Sequence, residues 1–252
     1  VMRSTLLSSL IPCVQYNVNR QQSRVRFFEL GLRLDYQDAE SIHDLKQIPP
    51  LAVIATGAKT SETWHAKPQA MDFFDFKGEI EEVLAAGRVQ VDYVRSERSW
   101  LHPGQSAEVL VDGQSIGYFG RLHPSLEDAL DLSTTWVAEL DQSAVLQTYV
   151  SNFTELSRFP SVRRDIALLI SDKINVSEIQ QLIEKTGGEL LDSTWLFDVY
   201  TGQGVEDGKR SLAFALLWQH PSRTLEDAEI KSGMDHILQV LENTYQATLR
   251  AS

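Results

Sequence analysis

The sequence predicts an α+β protein: an antiparallel sheet with packed helices, followed by a ferredoxin-like β-α-β-β-α-β domain. One observation is a series of short stretches that alternate apolar and polar residues, two of them joined by the hairpin turn Asp112-Gly113. The other is the order of patterns towards the end of the chain. There, two alternating stretches around a glycine-rich turn lie between two amphipathic helical patterns.

In the first part of the chain, apolar residues at helical spacing from Leu6 to Val14 predict a short helix that ends near Pro12 to Tyr16. A longer helix is bounded by Asp72 as N-cap and by Gly87. A bend is expected at Gly31, and residues 35–47 are predicted to be a loop. The remaining elements are strands at 24–34, 51–56, 89–94, 106–111, 115–122 and 135–140, and helices at 125–130 and 143–150.

The second part gives strand 164–170, helix 176–186, strands 190–200 and 209–219, helix 225–243 and strand 245–250. Asn175 with Glu178, and Thr224 with Asp227, have the spacing of capping boxes. We therefore predict a first domain at 1–150, a linker at 151–157 and a second domain at 158–252.

The two long strands of the second domain have contrasting faces. Strict alternation places Trp195, Phe197 and Val199 on the bulky face that the helices cover. The uncovered face then carries mostly small or polar residues and one aromatic ring: Ala167, Asp198, Tyr200, Ser211, Ala213, Ala215, Gln246, Thr248 and Arg250. A flat group could lie on such a face, as unpaired RNA bases do on aromatic rings, although an ordinary exposed sheet face gives the same pattern.

Basic residues cluster at the strand ends of this domain and in the segment that enters it: Arg158, Arg163, Arg164, Lys209 and Arg210. They could form a basic rim around the uncovered face, or they could be solvated charges. The whole chain has a formal net charge of −12, which argues against non-specific coating of nucleic acid. Any contact with nucleic acid must therefore be local.

Composition is that of a globular protein, with no apolar run near the roughly 20 residues of a membrane span. A single cysteine, Cys13, excludes an internal disulfide and fits a reducing, cytoplasmic location. The chain starts at Val1 in what looks like the middle of a domain, so we expect it to be part of a longer protein.

We find no catalytic or metal-binding pattern. The six histidines do not fall at metal-ligand spacing, and the acids near Asp75 are better explained by the helix dipole than by acid–base chemistry. Gly208-Lys209 joins two strands and lacks the glycine spacing of a phosphate-binding loop. The sequence therefore predicts no catalytic residue and no metal ligand.

Seven short motifs occur in an order typical of one family: Asn19-Arg20-Gln21 with Phe28-Glu29-Leu30-Gly31; Asp72-Phe73-Phe74-Asp75-Phe76-Lys77-Gly78; Leu101-His102-Pro103-Gly104-Gln105; Gly117-Tyr118-Phe119-Gly120 with His123-Pro124; Arg158-Phe159-Pro160 with Arg163-Arg164-Asp165; Leu196-Phe197-Asp198-Val199-Tyr200; and Ser222-Arg223-Thr224-Leu225. Over essentially its full length the chain resembles the C-terminal part of the bacterial phenylalanyl-tRNA synthetase beta subunit.

The resemblance implies that residues 1–150 are an N-terminally truncated, class II synthetase-like module without catalytic residues. It implies that 158–252 form the anticodon-binding domain, in which Tyr200 matches the aromatic that contacts the anticodon. Asp198, Ser211, Ala213 and Arg250 match its neighbours, and Arg163, Arg164, Lys209 and Arg210 are the expected basic contacts.

The implied partners are phenylalanine tRNA and the alpha subunit, within a cytoplasmic (αβ)2 heterotetramer. The whole enzyme would use ATP and magnesium, and this fragment would hold neither. Two alternatives remain: a regulatory module that binds a small molecule between paired domains, and a pure assembly domain without RNA contact.

Overall fold

The computed structural model describes residues 3–35, 41, 43–87, 89–146, 153 and 155–250, and the chain divides into two compact units, Val1–Ser151 and Asn152–Ser252. Among the described residues, no helix combines the length and apolar character needed to cross a membrane.

The first unit contains a mixed set of helices and antiparallel strands. Its described elements are α1 (Leu7–Val18), β1 (Arg24–Leu30), β2 (Arg33–Asp35), β3 (Lys46–Ile48), β4 (Pro50–Gly57), α2 (Phe73–Ala86), β5 (Asp92–Arg95), β6 (Leu101–Val111), β7 (Gln114–Leu122), α3 (Pro124–Ala129), β8 (Thr135–Asp141) and α4 (Gln142–Val145). Six strands pair in the order β1-β4-β8-β7-β6-β5, while β2 and β3 pair separately. The α+β class and the Asp112-Gly113 hairpin are as predicted.

Both faces of this sheet are covered, which explains why β4 and β8 are almost continuously buried. On one face, α2 packs Phe76 and Ile80 against Trp136. On the other, α1 packs Leu10 against Ile54 and its neighbours. Asp72 is the N-cap of α2, as predicted, and it forms a capping box with Asp75, in which each backbone N–H donates to the other residue's carboxylate.

A buried carboxylate, Glu139 of β8, fixes the start of α1. It accepts hydrogen bonds from the backbone N–H of Leu6 at 2.9 Å and from the Tyr118 hydroxyl at 2.8 Å. Burial, followed by the nearby Glu139 charge, raises the pKa of Tyr118 far above its usual value. The tyrosine therefore stays protonated and remains a donor to Glu139.

The second unit has the predicted β-α-β-β-α-β order: β9 (Val162–Ser171), α5 (Val176–Gly187), β10 (Leu191–Tyr200), β11 (Lys209–Trp218), α6 (Asp227–Tyr245) and β12 (Thr248–Leu249). The strand order is β10-β11-β9-β12, and all neighbours are antiparallel. Helices α5 and α6 share one core with alternate residues of the strands, among them Ile166, Phe214 and Trp218. Helices thus cover one face of the sheet.

Close packing of α6 on that core depends on a glycine. A Cβ placed at Gly233 would lie 2.6 Å from Cη2 and 2.8 Å from Cζ3 of Trp218. Normal carbon contacts are about 3.5–4.0 Å, so even a methyl group would overlap the indole ring. Gly233 therefore allows α6 to pack closely against Trp218, although glycine has a low helix propensity.

Some predicted elements differ from the structure. Helix α1 continues through Pro12 to Val18, because Pro12 lies on the exposed side, where water can solvate the carbonyl that loses its partner. The predicted loop at 35–47 instead contributes to strands β2 and β3, although residues 36–40 and 42 lie outside the described part. Likewise, residues 147–150 of the predicted helix 143–150 are not described.

The two capping boxes predicted in the second unit do not form. The Asn175 amide donates to the Glu178 carboxylate and does not accept from the backbone. Helix α6 has Glu226 as its N-cap rather than Thr224, since the Glu229 carboxylate accepts the Glu226 N–H at 3.0 Å. Arg223 fixes that carboxylate with two hydrogen bonds of 2.7 and 2.6 Å.

Candidate nucleic-acid interface

The face of the second sheet opposite α5 and α6 is the candidate interface, and we call it the open face. Along each strand, the residues of the open face alternate with the residues that pack into the core, and paired residues of neighbouring strands lie on the same face. The open face includes Arg163, Asp165 and Ala167 of β9, Trp195, Asp198 and Tyr200 of β10, Ser211, Ala213, Ala215 and Leu217 of β11, and Thr248 of β12. The sequence-predicted residues Asp198, Tyr200, Ser211 and Ala213 do lie together here.

A β-bulge at Phe197 changes the composition of this face. Leu196 pairs with Phe214 and Asp198 with Ala213, so Phe197 is an extra residue without a partner on β11. Before the bulge, Trp195 pairs with Ala215 on the open face, while Leu196 packs against the helix-covered core. The prediction that Trp195 and Phe197 point towards the helices is therefore wrong, because one inserted residue reverses the alternation.

At one end of the open face, an aromatic ring lies next to an arginine. The Tyr200 ring is half-buried, and the Arg250 guanidinium lies 4.6 Å from its centroid. The Tyr200 hydroxyl donates to the carbonyl of Gln203 at 3.2 Å. A Cβ at Gly202 would be 2.9 Å from that hydroxyl oxygen, so glycine leaves room for the ring beside the β10–β11 turn. The ring is therefore held in place before any ligand arrives.

Small side chains form the middle of the open face. Ser211 pairs with Tyr200, and Ala213 lies between Asp198 and Ala167. Ser211, Ala213 and Ala215 are buried although they face away from the helices, because short side chains lie below larger neighbours. The result is a shallow floor between longer side chains, with the Asp198 carboxylate exposed at one edge.

A second aromatic and basic cluster lies at the other end of the face. The Arg163 guanidinium is 5.3 Å from the Trp195 ring centroid and 5.2 Å from that of Phe197. Asp165 accepts two hydrogen bonds from the same guanidinium, at 2.7 and 3.1 Å. Sequence reasoning identified Arg163 but missed both rings.

The other predicted basic residues are placed differently. Arg164 and Arg210 share the strand parity of the core residues and lie on the helix-covered side, so the expectation that they border the open face is not met. Arg164 pairs with Asp227 at 3.2 Å, and Arg210 donates to the carbonyl of Ile174 at 2.6 Å. Lys209 does have open-face parity, at the strand end, where it pairs with Glu206 at 2.9 Å.

The open face offers ring surfaces, a few hydrogen-bonding groups and two arginines, of which Arg163 is partly neutralised by Asp165. Among the described residues, no group of three or more His, Cys, Asp or Glu side chains could hold a metal ion. These features suit the binding of flat, unpaired bases by stacking and edge hydrogen bonds.

Comparison with known proteins gives matches over both units. The family model of the phenylalanyl tRNA synthetase beta chain CLM domain matches residues 1–142, and that of the ferredoxin-fold anticodon binding domain matches residues 157–250. The chain belongs to the phenylalanyl-tRNA synthetase beta-chain family. The resemblance predicted from its motifs is thereby confirmed.

Curated relatives agree with this assignment. The phenylalanine–tRNA ligase beta subunit of Acinetobacter baylyi is 82% identical over the whole chain, and that of Psychrobacter arcticus is 46% identical, also over the whole chain. The Haemophilus influenzae subunit is 42% identical over 99% of the chain. In each case the chain covers only 32% of the relative, so it corresponds to one part of a beta subunit.

Among solved structures, a pyrrolysyl-tRNA synthetase from Desulfitobacterium hafniense is similar to part of the chain. The TM-score is 0.40 at 14% identity, covering 57% of this chain and 48% of that one.

Proposed function

We propose that this chain is a non-catalytic part of a phenylalanine–tRNA ligase beta subunit, whose second unit binds the anticodon region of phenylalanine tRNA through the open face. The observation that carries the proposal is the Tyr200–Arg250 pair on an uncovered sheet face of a domain that matches an anticodon-binding family model. Tyr200 stacks on an unpaired base, and Arg250 lies where it can stack or contact a phosphate.

The neighbouring side chains provide edge contacts. Asp198 is an exposed acceptor for a base N–H, and Ser211 and Ala213 keep the floor low enough for a base to approach. Arg163 and Lys209 have open-face parity and stay in the proposed contact set. We leave Arg164 and Arg210 out of it, because they engage Asp227 and the Ile174 carbonyl on the other side of the sheet.

The first unit supplies a surface for assembly with the alpha subunit. Tyr16 of α1 and Phe28 of β1 are large and exposed, and they line one groove between the helix and the edge strand of the sheet. We propose that the alpha subunit covers this groove in a cytoplasmic (αβ)2 enzyme. ATP and magnesium would act at the active site of the whole enzyme, outside this chain.

Removal of the Tyr200 ring tests the RNA-binding role. Tyr200→Ala should weaken binding of a phenylalanine tRNA transcript by the 252-residue chain by roughly 5- to 150-fold, the range expected for one stacked base. Titration in a gel-shift assay at low salt measures the change. Phe74→Ala is a matched control, because Phe74 is an exposed ring of α2 in the first unit.

Unchanged affinity in Tyr200→Ala would contradict the proposal and favour a pure assembly role. The small-molecule alternative predicts saturable amino-acid binding by calorimetry and dimerisation through the same face. The match to an anticodon-binding model and the arginine-flanked rings favour RNA over that alternative.

A further inference from the structure

We propose that Trp195, Phe197 and Arg163 form a second base-stacking site on the open face, for another unpaired nucleotide of the RNA bound at Tyr200. This inference rests on the proposed function and extends it to residues that sequence reasoning assigned to the core. It starts from the bulge at Phe197, which places the Trp195 ring on the open face and Phe197 beside the same arginine.

Packing of the core does not account for these two rings. Trp195 is 38% exposed and Phe197 48% exposed, whereas the core rings Phe214 and Trp218 on the helix side are almost completely buried. Leaving such large apolar surfaces in water forgoes the stabilisation that burial would give. Exposed rings beside an arginine on a sheet face are suited to stacking on unpaired bases.

The spacing of the two clusters along β11 suits an RNA strand that contacts both of them. Trp195 pairs with Ala215 and Tyr200 with Ser211, four residues apart on β11. At about 3.3 Å per residue, the two clusters are ~13 Å apart along the strand. The floor between them consists of the short side chains of Ser211, Ala213 and Ala215, and a single strand that passes from one ring to the other would lie above this floor.

Hydrogen bonds orient the Arg163 side chain before such a ligand binds. Its Nε and Nη2 donate to the two carboxylate oxygens of Asp165, which fixes the plane of the guanidinium. Within the described chain, Nη1 has no hydrogen-bonding partner, so it is available to a phosphate or a base acceptor. Because Asp165 offsets the positive charge, stacking rather than phosphate neutralisation should dominate at this site.

Binding of an anticodon stem-loop of phenylalanine tRNA by the 252-residue chain tests the inference. Trp195→Ala should weaken binding roughly 5- to 150-fold, while Trp195→Phe, which keeps a ring, should change it by no more than about twofold. The matched control is Trp64→Ala, since Trp64 is 98% exposed in the first unit and should leave affinity unchanged.

Tyr200→Ala, measured in parallel, separates the two proposals. Loss of affinity in Tyr200→Ala with wild-type affinity in Trp195→Ala would overturn the second site and leave the proposed function intact. Wild-type affinity in both variants would overturn both.

Fluorescence gives a second readout that does not depend on the alanine variant folding. Addition of the stem-loop should quench tryptophan emission of the wild-type chain, and Trp195→Phe should remove most of that quenching. Undiminished quenching in Trp195→Phe would show that Trp195 does not stack on the RNA.

Discussion

The contact between Gly233 and Trp218 gives a sharp test of how α6 lies on the second sheet. In Gly233→Ala, the new methyl carbon would sit 2.6 Å from the indole, about 1 Å inside normal contact. Trp218 is 1% exposed and cannot swing aside, so the helix must lift. Overpacking of this kind costs about 1–3 kcal/mol, against a gain of about 1 kcal/mol in helix propensity. We therefore expect a net loss of up to about 2 kcal/mol in the free energy of unfolding of the second unit.

Hydrogen exchange of peptides from 209–250 in increasing urea measures that free energy locally. A smaller ring should relieve the overlap, so Gly233→Ala combined with Trp218→Phe should be less destabilised than the sum of the single variants by about 0.5–3 kcal/mol. Gly78→Ala in α2 is the control, because a Cβ there meets no atom within 4 Å. Stabilisation by Gly233→Ala, or strict additivity in the double variant, would refute the packing argument. Affinity of the folded protein for RNA should not change, since Trp218 faces away from the open face.

Two further predictions concern the carboxylates of Glu139 and Glu229. Glu139→Gln should reduce the stability of the first unit by about 1.5–3 kcal/mol, because two donors lose a charged acceptor. This loss of stability should appear as faster hydrogen exchange at the start of α1 than in the control Glu97→Gln, in which an exposed carboxylate is replaced. Equal exchange rates in the two variants would contradict the prediction. Hydrogen bonds from Arg223, followed by that from the Glu226 backbone, lower the pKa of Glu229 to about 2. The stabilisation of the fold by ionised Glu229 is therefore present above the ordinary pKa of 4.5, and it is lost as the pH falls from 4.5 to about 2. In Arg223→Ala, NMR titration of the Glu229 carboxyl should give a pKa closer to 4.5, and an unchanged value would disprove the pairing.

The order of elements in the second unit could be predicted from local patterns, but the composition of the open face could not. Alternation along β10 assumes an uninterrupted ladder, and the bulge at Phe197 breaks it by one residue. Whether a strand bulges depends on its pairing with β11, which no local pattern specifies. Strict alternation therefore predicts the wrong face for Trp195.

Other differences had a signal in the sequence. Arg164 and Arg210 have the same parity as Ile166 and Leu212, so strict alternation already places them on the helix-covered side. From the sequence alone, Gly233 is only a residue of low helix propensity within α6. Its role comes from a contact with Trp218, on another element, that spacing along α6 cannot reveal.

In the proposed complex, unpaired nucleotides of the anticodon loop lie on the open face. Chemical footprinting of a phenylalanine tRNA transcript, with and without the 252-residue chain, measures this directly. We predict protection of the anticodon-loop nucleotides by the wild-type chain, and loss of that protection in Tyr200→Ala. An anticodon loop as reactive in the presence of the wild-type chain as in its absence would contradict the account.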